Sequence, residues 1–175
     1  LKTLGSIHFD RVSCLFAICS VGKVLGMAEE LAYMYINGTH GSLPNIDFDE
    51  LKLGIAANFC LKQEEANLGW DEFKKSFEGW ASIVQGQSWV TIYSVVDAGN
   101  GTALAHWETN YDVKPDGSHY DTFHGTKIDI SGKKMRGFMC FASFRIDVRS
   151  NKIVEIIQRS DDVVRKFGIE GAAYR

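Results

Sequence analysis

The residues best suited to acid–base chemistry lie in segment 106–112. If this segment is a strand, successive side chains alternate between two faces. One face then carries the polar side chains of His106, Glu108, Asn110 and Asp112, and the other carries Trp107, Thr109 and Tyr111. With the polar face toward a pocket, His106 is a general base oriented by Glu108, and Asn110 positions a substrate oxygen. With the polar face toward solvent, as is ordinary for an antiparallel strand, Trp107 and Tyr111 line the pocket instead.

A second group of ionisable side chains occupies segment 119–124. Alternation places Tyr120 and His124 on one face of a strand, and His119 on the other. His124 is either a pocket base or a hydrogen-bonded structural histidine, and Tyr120 could position a substrate oxygen. Histidines on opposite faces cannot share a metal ion, so we expect no metal site here.

Cysteine usage bears on the cellular compartment. The four cysteines form no CxxC pair and have no histidine at ligand spacing, which favours free buried thiols in a reducing cytoplasm and argues against zinc. The Asn-Gly-Thr sequons at Asn37 and Asn100 keep secretion open as an alternative, although this tripeptide is also a common turn.

Composition excludes several functional classes. The chain has 175 residues, is 45% hydrophobic and 23% charged, and carries a net charge of −3. These values are typical of one globular domain and provide no basic surface for nucleic acid. No uncharged apolar stretch approaches the roughly 18 residues that a membrane span needs. We therefore expect neither a nucleic-acid partner nor a membrane partner.

The order of the elements predicts the fold class. Apolar residues recur at helical spacing in segment 12–36, from Asp47 or Asp49 to about Leu61, and from Asp71 onward. Strand-like alternation follows at 89–96, 102–113, 119–130, 138–148 and 153–159, with a short final helix at 163–167. Helices followed by strands that are joined by short turns indicate an α+β fold. In such a fold a curved antiparallel sheet wraps the helices, and a pocket lies between the two.

Three segments resemble a known superfamily when taken in order. Gly69-Trp70-Asp71-Glu72-Phe73 is similar to the helix entry of the nuclear transport factor 2-like superfamily, and segment 102–109 is similar to its central strand. Segment 144–155 resembles the hairpin into its last strand, most closely as written in SnoaL-like polyketide cyclases. The resemblance implies a cone-shaped α+β domain over residues 26–175, preceded by a helical extension over residues 1–25. It also implies a homodimer formed through the convex face of the sheet.

The resemblance leaves the reaction open. The superfamily includes polyketide cyclases, ketosteroid isomerases, epoxide hydrolases and dehydratases, and also non-catalytic transport and association domains. Where the cyclases and epoxide hydrolases carry an aspartate in the last strand, this chain has Gln158, which can hold a carbonyl or water but cannot take a proton. The acidic donor of the ketosteroid isomerases aligns with Ala142. Both family acids are therefore missing.

The leading hypothesis is a cofactor-free acid–base isomerase, cyclase or dehydratase that acts on a small, apolar, oxygenated metabolite of polyketide or terpenoid type. His106, Glu108 or His124 would carry the proton. The residues expected to contact the ligand are Trp80, Trp107, Asn110, Tyr120 and Gln158. Tyr33 and Tyr35 on the first helix either donate into the cone or only pack. The alternative is a non-catalytic ligand-binding or dimerising domain of the same fold, which Gln158 favours and the clustered ionisable residues oppose.

Overall fold

A computed structural model describes residues 26–63, 66–121 and 126–161 of the chain. The predicted extension at 1–25 and the final helix at 163–167 lie outside these residues. The described part contains helices α1 (Met27–Gly38), α2 (Phe48–Leu53) and α3 (Trp70–Ile83). Its strands are β1 (Ile55–Gln63), β2 (Ala66–Leu68), β3 (Val84–Gly99), β4 (Thr102–Val113), β5 (Ser118–Asp121), β6 (Thr126–Asp129), β7 (Lys134–Asp147) and β8 (Lys152–Ser160).

The strands form one large curved sheet and one small sheet. The large sheet has six strands in the order β2-β1-β8-β7-β4-β3, and β5 and β6 form a separate two-stranded sheet. Register shifts interrupt the β3–β4, β4–β7 and β7–β8 pairs. Such irregularities increase the local twist and bend a sheet. The sheet curves around α1 and α3, which confirms the predicted α+β cone.

Alternation along β4 separates the inner face of this sheet from its outer face. The inward side chains are all buried: Ala103, Ala105, Trp107, Thr109, Tyr111 and Val113. Ala103, Ala105 and Trp107 pack with one side of α1 and α3, where the buried residues are Tyr35, Ile36, Phe73 and Phe77. Removing a large apolar side chain from water stabilises the fold by roughly 1.5–3 kcal/mol. The core therefore lies between the sheet and the helices.

The β3–β4 turn sets the register of β4. Asn100 and Gly101 have φ angles of 53° and 70°, the left-handed pair of a tight hairpin turn. A Cβ atom on Gly101 would lie 2.8 Å from the carbonyl oxygen of Ile146, so a side chain there would clash with backbone. Because a slip of one residue would turn Trp107 outward, this turn helps to decide which residues face the interior.

The segment after Gly54 departs from the predicted helix. Asp47 caps α2 as expected, since its Oδ1 accepts hydrogen bonds from the N–H groups of Asp49 and Glu50 at 3.1 and 2.9 Å. The helix ends at Leu53, however, and not near Leu61. From Ile55 the chain is a strand that pairs with β8 in parallel, so the sheet is mixed and not wholly antiparallel. The pairing overrides the helix-like spacing of the apolar residues.

The single strand predicted over 119–130 is also wrong. The chain there forms the β5–β6 hairpin, in which Ser118 pairs with Asp129 and Asp121 pairs with Thr126. The two strands are antiparallel, and residues 122–125 between them lie outside the described part. Alternation alone does not distinguish two such strands from one long strand, because its period is the same in both.

The described helices include none that is long and apolar enough to cross a membrane.

Candidate functional site

The interior of the cone is apolar apart from a short row of polar groups. These groups come from the end of α1, from β4 and from β8, and their residues are buried: Tyr35, His40, Trp107, Thr109 and Gln158. The rings of Phe73, Phe77 and Phe144 surround them. The elements that meet here are far apart in sequence, so the row exists only in the folded chain.

Tyr35 brings a hydroxyl group from α1 to the last strand. Its side chain is fully buried, and its hydroxyl donates to Oε1 of Gln158 at 3.5 Å, a long hydrogen bond. Burial raises the pKa of Tyr35, with a smaller contribution from the nearby Cys140 thiol. Tyr35 therefore stays protonated at neutral pH and is available as a donor.

His40 enters the interior directly after α1. The N–H and the hydroxyl of Thr39 both donate to the carbonyl oxygen of Tyr35, at 2.9 and 2.7 Å. These bonds end the helix, and the next residue, His40, points inward. The Nδ1 atom of His40 lies 3.3 Å from Oγ1 of Thr109 on β4. The ring meets Trp107 and Phe77 edge-on, with centroids 5.3 and 5.4 Å away. Burial lowers the pKa of His40 to about 4, so its imidazole is neutral at pH 7.

Two ring nitrogens in this interior have no hydrogen-bond partner within the described part of the chain. They are Nε2 of His40 and Nε1 of Trp107, and both atoms are buried. A buried polar group without a partner typically costs about 1–3 kcal/mol. Such groups are rare in folded proteins, and each requires an explanation such as a bound molecule.

The site is uncharged as far as it is described. Among the buried described side chains, the one carboxylate is that of Glu29, whose Oε2 accepts a hydrogen bond from the N–H of Gly26 at the start of α1. No group of three or more metal-ligating side chains occurs among the described residues. The interior thus offers a neutral imidazole, a phenol, an indole N–H and an amide to a bound molecule.

The residues predicted to carry the proton do not line this interior. His106 and Glu108 lie on the outer face of β4, opposite Phe141 and Met139 of β7. The His106 ring is partly buried and stacks on Phe141 at 4.1 Å, with 10° between the planes. Glu108 accepts hydrogen bonds from the hydroxyl of Tyr93 at 2.6 Å and from Nδ2 of Asn110 at 2.9 Å. Of the two orientations left open for β4, the structure has the one with Trp107 and Tyr111 inside.

The other residues predicted to contact the ligand lie in different parts of the structure. Trp107 and Gln158 lie in the interior. Asn110 is buried on the outer side, where its Oδ1 accepts a hydrogen bond from the N–H of Gly137 at 2.8 Å. Trp80 is partly buried and contacts Tyr111 edge-on at 5.9 Å, in a second apolar cluster. His124 and the side chain of Tyr120 lie outside the described residues.

His40 is the interior residue that sequence analysis missed. It follows a Gly-Thr pair and precedes Gly41, a context that indicates only the end of a helix. Its partner Thr109 lies 69 residues away, and no local spacing reports that contact. Thr109 shares the inward face with Trp107, so alternation could have singled it out once the orientation of β4 was known.

The outer face of the sheet carries an exposed apolar patch. This outer patch consists of Tyr93, Val96, Leu104, Phe141 and Ile157, whose exposed fractions run from 40% to 54%. His106 lies between Tyr93 and Phe141, with ring centroids 5.0 and 4.1 Å away. Contiguous exposed apolar surface of this kind is uncommon on a monomer and often marks an interface.

A separate open groove of about 420 Å³ lies on the surface near the start of α2. It is lined by Asn45, Ile46, Asp47, Phe48, Asp49 and Lys74. The Asp47 carboxylate is already engaged in capping α2. This groove is therefore a less specific site than the cone interior.

Comparison with known proteins gives matches in structure only. No family model matches the sequence, and no curated protein matches it. Among solved structures, the candidate hydroxylase AclR from Streptomyces galilaeus superposes with a TM-score of 0.59 at 12% identity, over 83% of this chain and 84% of that one. A candidate SnoaL-like polyketide cyclase from Shewanella denitrificans gives 0.57 at 13% identity, over 82% of this chain and 96% of that one.

An LEH-like epoxide hydrolase of M. tuberculosis gives a TM-score of 0.55 at 13% identity, over 81% of this chain and 86% of that one. The chain has the fold of the nuclear transport factor 2-like superfamily. Structural similarity at identities this low establishes only the cone-shaped fold. The chemistry has to be argued from the residues inside the cone.

Proposed function

We propose that this protein binds a small, uncharged, largely apolar and oxygenated molecule inside the cone and exchanges a proton with it without a cofactor. The observation that carries the proposal is the imidazole of His40, which is buried among aromatic rings with Nε2 unpartnered. Because burial keeps this imidazole neutral at pH 7, its ring N–H can donate a proton to a ligand oxygen while solvent takes the proton from the adjacent carbon and then returns a proton to the ring. Isomerisation, cyclisation and dehydration all fit this inventory.

The roles divide among the interior residues. His40 is the proton-transfer group, and the hydrogen-bonded pair of Tyr35 and Gln158 positions a second ligand oxygen. The aromatic side chains of Phe73, Phe77 and Trp107 supply apolar contact. The absence of a buried cation among the described residues favours an uncharged ligand, since a buried charge without a partner is costly.

The test uses exchange of α-protons, because exchange does not require the natural substrate. A cyclic ketone such as 1-indanone is incubated with the protein in deuterium oxide, and loss of its α-proton signal is followed by NMR. We expect exchange above the buffer rate, and we expect His40→Gln to lower the protein-dependent rate by about 10²–10⁴-fold. His106→Gln is the matched control, because His106 lies on the outer face and should leave the rate unchanged.

Two results would overturn this proposal. One is the absence of both exchange and interior binding for a panel of uncharged cyclic ketones, lactones and epoxides. The other is an equal loss of rate in the two histidine variants, which would place the chemistry outside the cone.

The outer patch supports a second proposal, a homodimer formed through the outer face of the sheet. Its five apolar side chains lie on β3, β4, β7 and β8, so they form one surface. We expect sedimentation to show a dimer that Phe141→Glu converts to a monomer. Val148→Glu is the control, since Val148 is 62% exposed and lies in the turn after β7 outside the patch. A wild-type chain that sediments as a monomer at all accessible concentrations would exclude this dimer.

A further inference from the structure

The indole of Trp107 restricts what can occupy the interior. An indole N–H can only donate a hydrogen bond. Nε1 of Trp107 is buried and has no acceptor among the described residues. The imidazole of His40 meets the indole edge-on, and the phenyl ring of Phe77 meets that imidazole edge-on. Any partner of the indole must therefore present an acceptor atom.

The contact between His40 and Thr109 determines which ring nitrogen of His40 carries the hydrogen. If the Thr109 hydroxyl donates to Nδ1, that one bond satisfies both the hydroxyl hydrogen and the Nδ1 lone pair, and the ring hydrogen is on Nε2. If Nδ1 donates instead, the hydroxyl hydrogen needs another acceptor, and among the described residues the Thr109 side chain has no other hydrogen-bond partner. The first arrangement leaves fewer buried groups unpaired, so it is favoured. It makes Nε2 of His40 a donor.

We infer that His40 Nε2–H and Trp107 Nε1–H form a two-donor site for one carbonyl oxygen of an uncharged ligand. The two rings are neighbours, with centroids 5.3 Å apart, so one small molecule can contact both. A carbonyl oxygen has two lone pairs and no hydrogen, and it matches a pair of donors without leaving a group unpaired. The inference rests on the proposed function and adds to it the class of ligand, namely a ketone, ester or lactone.

Other oxygen groups fit this site less well. A hydroxyl group brings a hydrogen that needs an acceptor, and neither donor can provide one. A carboxylate would bury its charge without a cation, because the buried described residues include no Lys or Arg. Carbonyl compounds should therefore be selected over the hydrocarbon and over the acid of the same skeleton.

The first experiment determines the tautomer of His40 in the full chain without a ligand. Long-range proton–nitrogen NMR correlations distinguish a hydrogen on Nε2 from one on Nδ1, and the His40→Gln variant identifies the signals. We expect the hydrogen on Nε2. A hydrogen on Nδ1 would overturn the two-donor site whatever the ligand is.

The second experiment compares three probes that share a skeleton: 1-indanone, indane and indane-1-carboxylate. We expect 1-indanone to bind about tenfold more tightly than indane, and the carboxylate to bind most weakly. Trp107→Phe should reduce the ratio of the affinity for 1-indanone to the affinity for indane. If this variant does not fold, the indole N–H signal of the wild-type chain provides the same test, because 1-indanone should shift it downfield and indane should not.

The outcomes separate this inference from the proposed function. Equal binding of 1-indanone and indane inside the cone, without an indole shift, would overturn the two-donor site while ligand binding stands. Binding of none of the uncharged probes would overturn both. An ordered water that bridges the two nitrogens in a crystal grown with 1-indanone would also overturn the two-donor site, since water would then be the permanent partner.

Discussion

The hydroxyl of Tyr35 donates a hydrogen bond to Oε1 of Gln158, 123 residues further along the chain and 3.5 Å away. This bond connects the first described helix to the last strand. At this position the resemblance to cyclases and epoxide hydrolases implies an aspartate, and the chain has Gln158. An amide in place of a carboxylate keeps the interior uncharged, and under the proposed function the proton is transferred by His40 instead.

Restoring a carboxylate at this position should make stability depend on pH. In Gln158→Glu the new carboxyl is buried, and burial without a cation raises its folded-state pKa above the unfolded value of about 4.3. The folded state then binds more protons than the unfolded state, so stability is retained below about pH 4.3 and declines as pH rises through the folded pKa. Urea unfolding from pH 4.5 to 8 measures this slope.

Gln158→Met is the control, because it has a similar size and no ionisable group. Its stability relative to wild type should be independent of pH. A Gln158→Glu variant that follows the control at every pH would show that position 158 is solvated, in conflict with its 4% exposed fraction.

His40 should contribute to acid instability of the wild-type protein. Its folded-state pKa of about 4 lies below the ordinary value of 6.5, so the unfolded chain binds the proton more readily. This contribution to stability is full above about pH 6.5 and is lost as pH falls toward 4, by up to about 3 kcal/mol. Urea unfolding at pH 7 and pH 4.5, with an NMR titration of His40, measures both quantities.

His40→Gln should lack this component of the pH dependence, whatever its absolute stability at pH 7. His106→Gln should retain it. A titration of His40 near pH 6.5 would mean that its ring is solvated and would contradict the buried site.

Two phenylalanines of β7 should differ in their contribution to folding. Phe144 is fully buried in the core, while Phe141 is 51% exposed on the outer patch. Truncation of Phe144 to Ala should cost about 3–5 kcal/mol of unfolding free energy, and truncation of Phe141 less than about 1 kcal/mol. Chemical denaturation at two protein concentrations checks this, since any effect of Phe141 that grows with concentration reports association and not folding. Similar costs for both at low concentration would contradict the assignment of the faces.

The two described cysteines should differ in reactivity. Burial raises the pKa of Cys140, with a further contribution from the nearby charge of Asp161, so the reactive thiolate is scarce there. Cys60 is only partly buried. Iodoacetamide labelling of the native protein, followed by peptide mapping, should modify Cys60 at least about 100-fold faster than Cys140. Equal labelling in urea is the control, and rapid native labelling of Cys140 would show that the core opens readily.

Local patterns predicted much of the sheet. The bounds of β4 agree with the predicted strand at 102–113, and β7 and β8 overlap the predictions at 138–148 and 153–159. These strands have strict alternation and end at turns rich in Gly, Asn and Asp, and both signals come from neighbouring residues. Helix α3 was predicted for the same reason, from its apolar stripe.

Elements that depend on a distant partner were not predicted. Segment 55–61 is so short that the spacing of its apolar residues fits either a helix or a strand. Its parallel pairing with β8, nearly a hundred residues away, makes it a strand. The β5–β6 hairpin likewise forms by pairing across a reversal that alternation does not mark.

The sequence by itself therefore determined the α+β class, the outline of the cone and the two alternating faces of β4. Only the tertiary structure decided which face lies inside, because alternation defines two faces without stating which one the helices cover. It placed Trp107 inward and His106 outward, and it brought His40 to Thr109 across 69 residues. The residues of a site that is formed by distant elements have no characteristic spacing in the sequence, so sequence patterns do not predict it.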